Sequence, residues 1–131
     1  SECFPKMFDL MTLVDKPSSQ DLHQLAMKTV GDDLSAQGFE FVAVNSKIKK
    51  DPQFVCKKES QLFFIIVKAS VYPSNPRDYD KGLMEKIRVH AEKYDAVVRF
   101  AGVGFARATN YELPLVKSEA YAINYEGLQN I

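Results

Sequence analysis

The residues Gln53–Lys68, QFVCKKESQLFFIIVK, constrain the fold more than any other part of this chain. They read as a β-hairpin: a strand Gln53–Lys57, a polar turn over residues 58–61 and a long strand Leu62–Tyr72. The second strand opens with six consecutive apolar residues, Leu62–Val67. A strand with one wet face alternates apolar and polar residues; a continuous apolar run marks a strand covered on both faces. Lys68 then breaks the run, so it either lines a site or reaches solvent near the end of the sheet.

The rest of the chain supplies the cover. Ser18 with Asp21 three residues on has the spacing of a capping box, with Asp in place of Glu. The helix it opens carries Leu22, Leu25, Ala26, Thr29, Val30 and Leu34 at helical spacing and stops at Gly38. Phe39–Asn45 reads as a mostly buried strand, and Ser46–Pro52 as a loop. In Pro73-Ser74-Asn75-Pro76 the spacing places Asn75 as the cap of a second helix with Pro76 at its first position. Leu83, Ile87, His90 or Ala91, and Tyr94 form that helix's apolar stripe, which ends near Asp95. Val97–Ala106 reads as another strand, where Gly102 and Gly104 imply a close backbone approach or a bulge. A tail from about residue 110 holds one short strand, Tyr121–Tyr125. The expected organisation is an N-terminal arm (1–17) and a single α/β domain (18–131). Its element order is α-β-β-β-α-β, with a mixed four- to five-stranded sheet flanked by helices. The first three strands form an antiparallel meander. The strand Val97–Ala106 returns parallel to Leu62–Tyr72 through a right-handed crossover.

Composition excludes several function classes. At 131 residues, 46% of them hydrophobic, the chain can bury a self-sufficient core. Seventeen basic and seventeen acidic residues cancel, so there is no global pull on nucleic acid or an anionic membrane. Cys3 and Cys56 make neither a disulfide framework nor a metal-ligand pattern, and a cytoplasmic protein without metal or cofactor is expected. No apolar run has the length of a membrane span. The run after Lys6 is broken by Asp9 and has no cleavage pattern, so no signal peptide is expected. His23 and His90 each stand alone on a helix, and Cys56 reads as a small buried residue. Gly102-Val103-Gly104 lacks the third glycine and the following helix of a dinucleotide fingerprint.

From about Asp21 to Ala106, the order of elements resembles the restriction-endonuclease-like fold, in particular the small nucleases similar to archaeal Holliday-junction resolvases. Gly38-Phe39 matches the glycine–aromatic pair that leads into that family's first strand. The resemblance implies a catalytic Asp at Gln53, a Glu at Ile66, a Lys at Lys68 and a helix glutamate near Met27. Only Lys68 is retained. The implied Mg²⁺ needs hard oxygen ligands. Gln53 offers a neutral amide oxygen, and the side chains of Ile66 and Met27 offer none.

Three functional readings follow. The first is a non-catalytic domain of this fold that acts in binding or assembly, with a protein partner or a second copy of itself. The second is a divergent Mg²⁺-dependent nuclease in which Lys68 works with acids relocated from Asp51, Glu59, Asp80 or Glu85. The third is a nucleic-acid binder that uses Lys47, Lys49, Lys50, Lys57 and Lys58, against which the zero net charge stands.

Overall fold

The structure, a computed structural model, describes residues 16–48 and 50–131. The arm expected over 1–17 therefore lies outside the described residues except for Lys16 and Pro17, and so does Lys49. Helix α1 spans Ser19–Ala36. Its capping box is closed in both directions: Ser18 Oγ accepts from the Asp21 N–H at 3.0 Å, and the Asp21 carboxylate accepts from the Ser18 N–H at 2.9 Å. There follow β1 (Glu40–Val44), β2 (Phe54–Lys58) and β3 (Gln61–Val71), then α2 (Lys81–Glu92), β4 (Ala96–Arg107), β5 (Tyr121–Asn124) and β6 (Gln129–Asn130). No helix among the described residues is long and apolar enough to cross a membrane.

The sheet runs β1-β2-β3-β4-β5, with β6 also paired to β4. It has six strands rather than four or five, because the tail folds back onto β4 twice. The first three strands are an antiparallel meander, and β3 with β4 is the parallel pair. The hairpin turn has positive φ at both Glu59 and Ser60, the twist that lets a two-residue loop follow the strands.

Alternation along β3 explains its unbroken apolar run. Ile65 and Val67 join α1's Ala26, Met27, Val30 and Leu34 in one buried cluster, with Phe63 packed against it. Phe64 and Ile66 join Met84 and Ala91 of α2 in another, together with Val98 and Phe100 of β4. Each face of the strand is thus an interior.

Three expectations need correction. First, β1 is not buried: all five of its residues are exposed, Val42 at 58% and Val44 at 57%, and only Phe39, just before it, enters the core. As an edge strand it extends past the cover that α1 gives the centre of the sheet. Second, α2 begins at Lys81, not Pro76. Its cap is Asp80, whose Oδ1 accepts from the Leu83 N–H at 3.1 Å, while Asn75 Oδ1 turns the preceding loop by accepting from the Arg77 N–H. Third, the buried stripe of α2 is centred on Met84, Ile87 and Ala91, leaving Leu83 and Tyr94 exposed.

The loop before α2 lies directly on the sheet. A Cβ on Gly102 would meet the Pro76 carbonyl oxygen at 1.7 Å. Gly102 is the register partner of Lys68, and Pro76 lines a concavity beside Lys68–Val71, adjoining the cavity described next.

Candidate binding cavity at the open edge of β3

β3 has eleven residues and β2 only five. Their pairing runs from Lys58↔Gln61 to Phe54↔Ile65. One step further, the Gln53 N–H donates to the Ile65 carbonyl at 3.1 Å, and the Val67 N–H donates to Gln53 Oε1 at 2.8 Å. The odd-numbered residues of β3 therefore turn their backbone groups toward β2. The even-numbered ones turn theirs toward β4, as does the Tyr72 N–H, which donates to the Phe105 carbonyl. Beyond Gln53 the β2 side is vacated. Among the described residues, the Val67 carbonyl, both backbone groups of Ala69 and the Val71 N–H have no partner.

A cavity of about 640 Å³ opens along this edge. It takes in both faces of β3, because the strand is its floor. On the α1 side it meets Leu22, His23 and Ile48; on the α2 side it meets Tyr79, Leu83 and Met84. Its polar residues include Lys68, Ser70, Asp51, Gln53, Asp80 and His23. A mainly apolar concavity of this size with a few polar groups is the usual form of a ligand site.

Each polar group has a defined state. Gln53 is 1% exposed, and its amide is held at both ends, by the Val67 N–H and by Asp51 Oδ1, which accepts from Nε2 at 2.6 Å. Asp80 is engaged in capping α2. Lys68 is exposed and makes no ion pair among the described residues. His23 is 2% exposed, and its Nε2 has no hydrogen-bond partner among the described residues; neither does the buried Ser70 Oγ. Burial lowers the His23 pKa below its ordinary value, and the nearby Asp51 carboxylate only partly opposes this. The imidazole is therefore neutral at physiological pH.

The structure brings some of the expected residues together and separates others. Gln53, Ile66 and Lys68 share the cavity, as do two of the candidate acids, Asp51 and Asp80. Glu59 lies in the hairpin turn, and Glu85 is bonded to Arg88 at 2.6 Å on the surface of α2. Met27 is in the α1-side core. Lys47 and Lys50 are exposed in the loop after β1, which Gln20 and Gln24 tie to α1 through the Ser46 carbonyl. Lys57 and Lys58 lie at the other end of β2; Lys57 is exposed, and Lys58 Nζ stands 5.2 Å from the Phe39 ring centroid. The described lysines among them form no single patch. Cys56 is fully buried, and burial pushes its thiol up to about 11, which keeps it protonated and unreactive. His90 is exposed at the end of α2, against Tyr94.

The donor set does not fit Mg²⁺. The Gln53 amide oxygen already accepts the Val67 N–H, and Ile66 is 3% exposed among apolar neighbours. Among the described residues no three His, Cys, Asp or Glu side chains are grouped to hold a metal.

Sequence reasoning set His23 aside as a lone helix histidine and passed over Ser70. His23 precedes Ala26, Met27 and Val30 by three, four and seven positions, which places it on the buried stripe of α1. Ser70 lies two residues after Lys68 on the same face of β3. A family model described as a domain of unknown function, DUF8840, matches residues 20–131. No curated protein and no solved structure matches the chain.

Proposed function

The chain belongs to the DUF8840 family, and from the geometry of its cavity we propose that it is a non-catalytic binding domain of restriction-endonuclease-like fold. The element order and the mixed sheet support the fold reading. One observation carries the non-catalytic reading: the position that matches the catalytic Asp is Gln53, and its side chain is built into the sheet as a hydrogen-bonded plug between Asp51 and Val67. A neutral amide held in this way offers no charge to a metal ion. Ile66, at the matching Glu position, contributes to the α2-side core. What persists is the concavity, with Lys68 at its side and along its floor a row of backbone groups without a partner among the described residues.

The test is direct. Purified protein with Mg²⁺ or Mn²⁺ is expected to leave duplex, branched and single-stranded DNA uncut. Cleavage that vanishes in Lys68→Ala would establish the second reading, a divergent nuclease, for which the approach of Asp51 and Asp80 to the same cavity is the supporting observation. Ile66→Glu separates the two further. In a pocket committed to apolar packing it places an unpaired carboxylate in the core and lowers the melting temperature. If Ile66→Glu with Gln53→Asp melted like the parent and bound Mg²⁺ by calorimetry, the non-catalytic reading would fail.

A further inference from the structure

We propose that the edge of β3 over Val67–Val71, which no other strand among the described residues covers on the β2 side, takes up an extended peptide segment of a partner protein, which pairs with it as a strand in line with β2. The proposal rests on the reading of the cavity as a non-catalytic binding site and names the class of its ligand. The chemistry of the floor selects that class. Ala69 presents an N–H and a carbonyl on the same side, flanked by the Val67 carbonyl and the Val71 N–H, and β4 satisfies only the other side of the strand. Donors and acceptors repeat every two residues, roughly 6.6 Å apart. An extended polypeptide backbone matches that row group for group; a phosphate or a compact metabolite matches one group of it. Main-chain pairing of this kind supplies affinity, and pockets for alternate side chains supply specificity.

The side-chain lining is arranged for such a strand. Successive residues of a bound segment point to opposite faces. On the α1 face they meet Leu22, Ile48 and His23, so apolar residues fit there, with the unpartnered His23 Nε2 beside them. On the α2 face they meet Lys68 and Tyr79. Asp51 and Asp80 keep their charge, but Asp51 is held at Gln53 and Asp80 caps α2, where the helix dipole offsets it; Lys68 makes no ion pair among the described residues, so an acidic side chain of the segment is its match on this face. The partner segment is therefore an alternation of apolar and acidic residues. The sheet's other meander edge, β1, is a poorer template. Its register shifts between Phe41 and Ala43, and such a bulge interrupts the row.

Selection from a display library of random dodecapeptides on the intact protein, with the recovered peptides measured by fluorescence anisotropy, tests this. Apolar–acidic alternating peptides are expected. Ala69→Pro removes an N–H that β4 does not use, on an edge where proline is tolerated. It should weaken binding about tenfold or more, the loss expected for one main-chain hydrogen bond and its neighbours, while the melting temperature stays near the parent's. If that variant fails to fold, peptides N-methylated at alternate amides give the same readout on the parent protein, and should not bind. The proposal is overturned if no peptide is recovered, or if N-methylated peptides bind as well as unmodified ones. It is also overturned if the Ala69 N–H is already protected in the protein alone, since the edge would then be held by the chain itself or by a second copy. A DNA-cleavage assay on the same preparation reports separately on the non-catalytic reading.

Discussion

From Gln61 to Ile65, β3 is bonded to β2 on one side and runs beside β4 on the other, with its side chains in two closed clusters. From Val67 to Val71 the strand that pairs with it among the described residues is β4; on the other side Gln53 Oε1 takes the Val67 N–H, the Ser74 N–H takes the Val71 carbonyl, and what lies between is the floor of a cavity. The first stretch is QLFFI and the second VKASV, each mainly apolar with one or two polar residues, so composition alone does not separate them. The length of the neighbouring strand makes the difference. β2 stops at Phe54, and Gln53 ends the ladder by lending its side chain to the next rung. A binding edge can thus be made by shortening a strand rather than by adding a loop, and the core that holds it rigid is the same strand's closed half.

The comparison can be broken by substitutions in either half. The largest effect is expected where the loop before α2 lies on the sheet beside the open half. Gly102→Ala drives a methyl group into the Pro76 carbonyl, and neither backbone can yield without moving α2 or β4. It should cost on the order of 5 kcal/mol or prevent folding, the range reserved for severe core conflicts, as read by urea denaturation. A near-neutral Gly102→Ala would mean that the loop is not seated on the sheet. In the closed half, Ile65 is fully buried. Ile65→Ala should cost about 3 kcal/mol, a lost transfer energy plus a cavity. A cost below about 1 kcal/mol, the level of a surface position, would remove the distinction between the halves.

A smaller effect lies in the pH profile. His23 is held neutral by burial, with its folded pKa below the ordinary value of 6.5. As pH falls through that ordinary value, the unfolded chain takes up a proton that the folded chain resists. Stability should therefore fall with decreasing pH between the ordinary and the lowered pKa, and level off below the latter. Above the ordinary value this histidine contributes no slope. Parallel melts of the parent and His23→Leu should diverge in slope only in that window. Equal slopes would mean that the imidazole titrates freely and that the α1 side of the cavity is open to water.

Much of this was legible in the residues. The run Leu62–Val67 required cover on both faces, the Ser18–Asp21 box fixed the start of α1, and Gly102 marked a close backbone approach. The misplaced features depend on context that local spacing does not carry. Asn75-Pro76 has the chemistry of a helix start, but Asp80 offers a second cap, and the intervening loop is held against Gly102. Phe41, Val42 and Val44 have the composition of a buried strand, and only their place at the sheet edge leaves them exposed. Lys68 was recognised as either a lining residue or a solvated one, and it is both. The cavity itself was half visible: an eleven-residue strand beside a five-residue one must leave an edge uncovered. What fills or flanks that edge depends on α1 and α2, and so on tertiary placement.

The account rests on that edge being free, and native-state hydrogen exchange along β3, read residue by residue by NMR, tests it most directly. In the closed half, Phe63, Phe64 and Ile65 should all be protected, since both sides of the strand are bonded. In the open half, protection should alternate: Lys68 and Ser70 slow through β4, Val67 slow through Gln53 Oε1, and Ala69 and Val71 fast. Uniform protection from Leu62 to Val71 would contradict the account, because it would mean that the edge of β3 is already occupied in the protein alone.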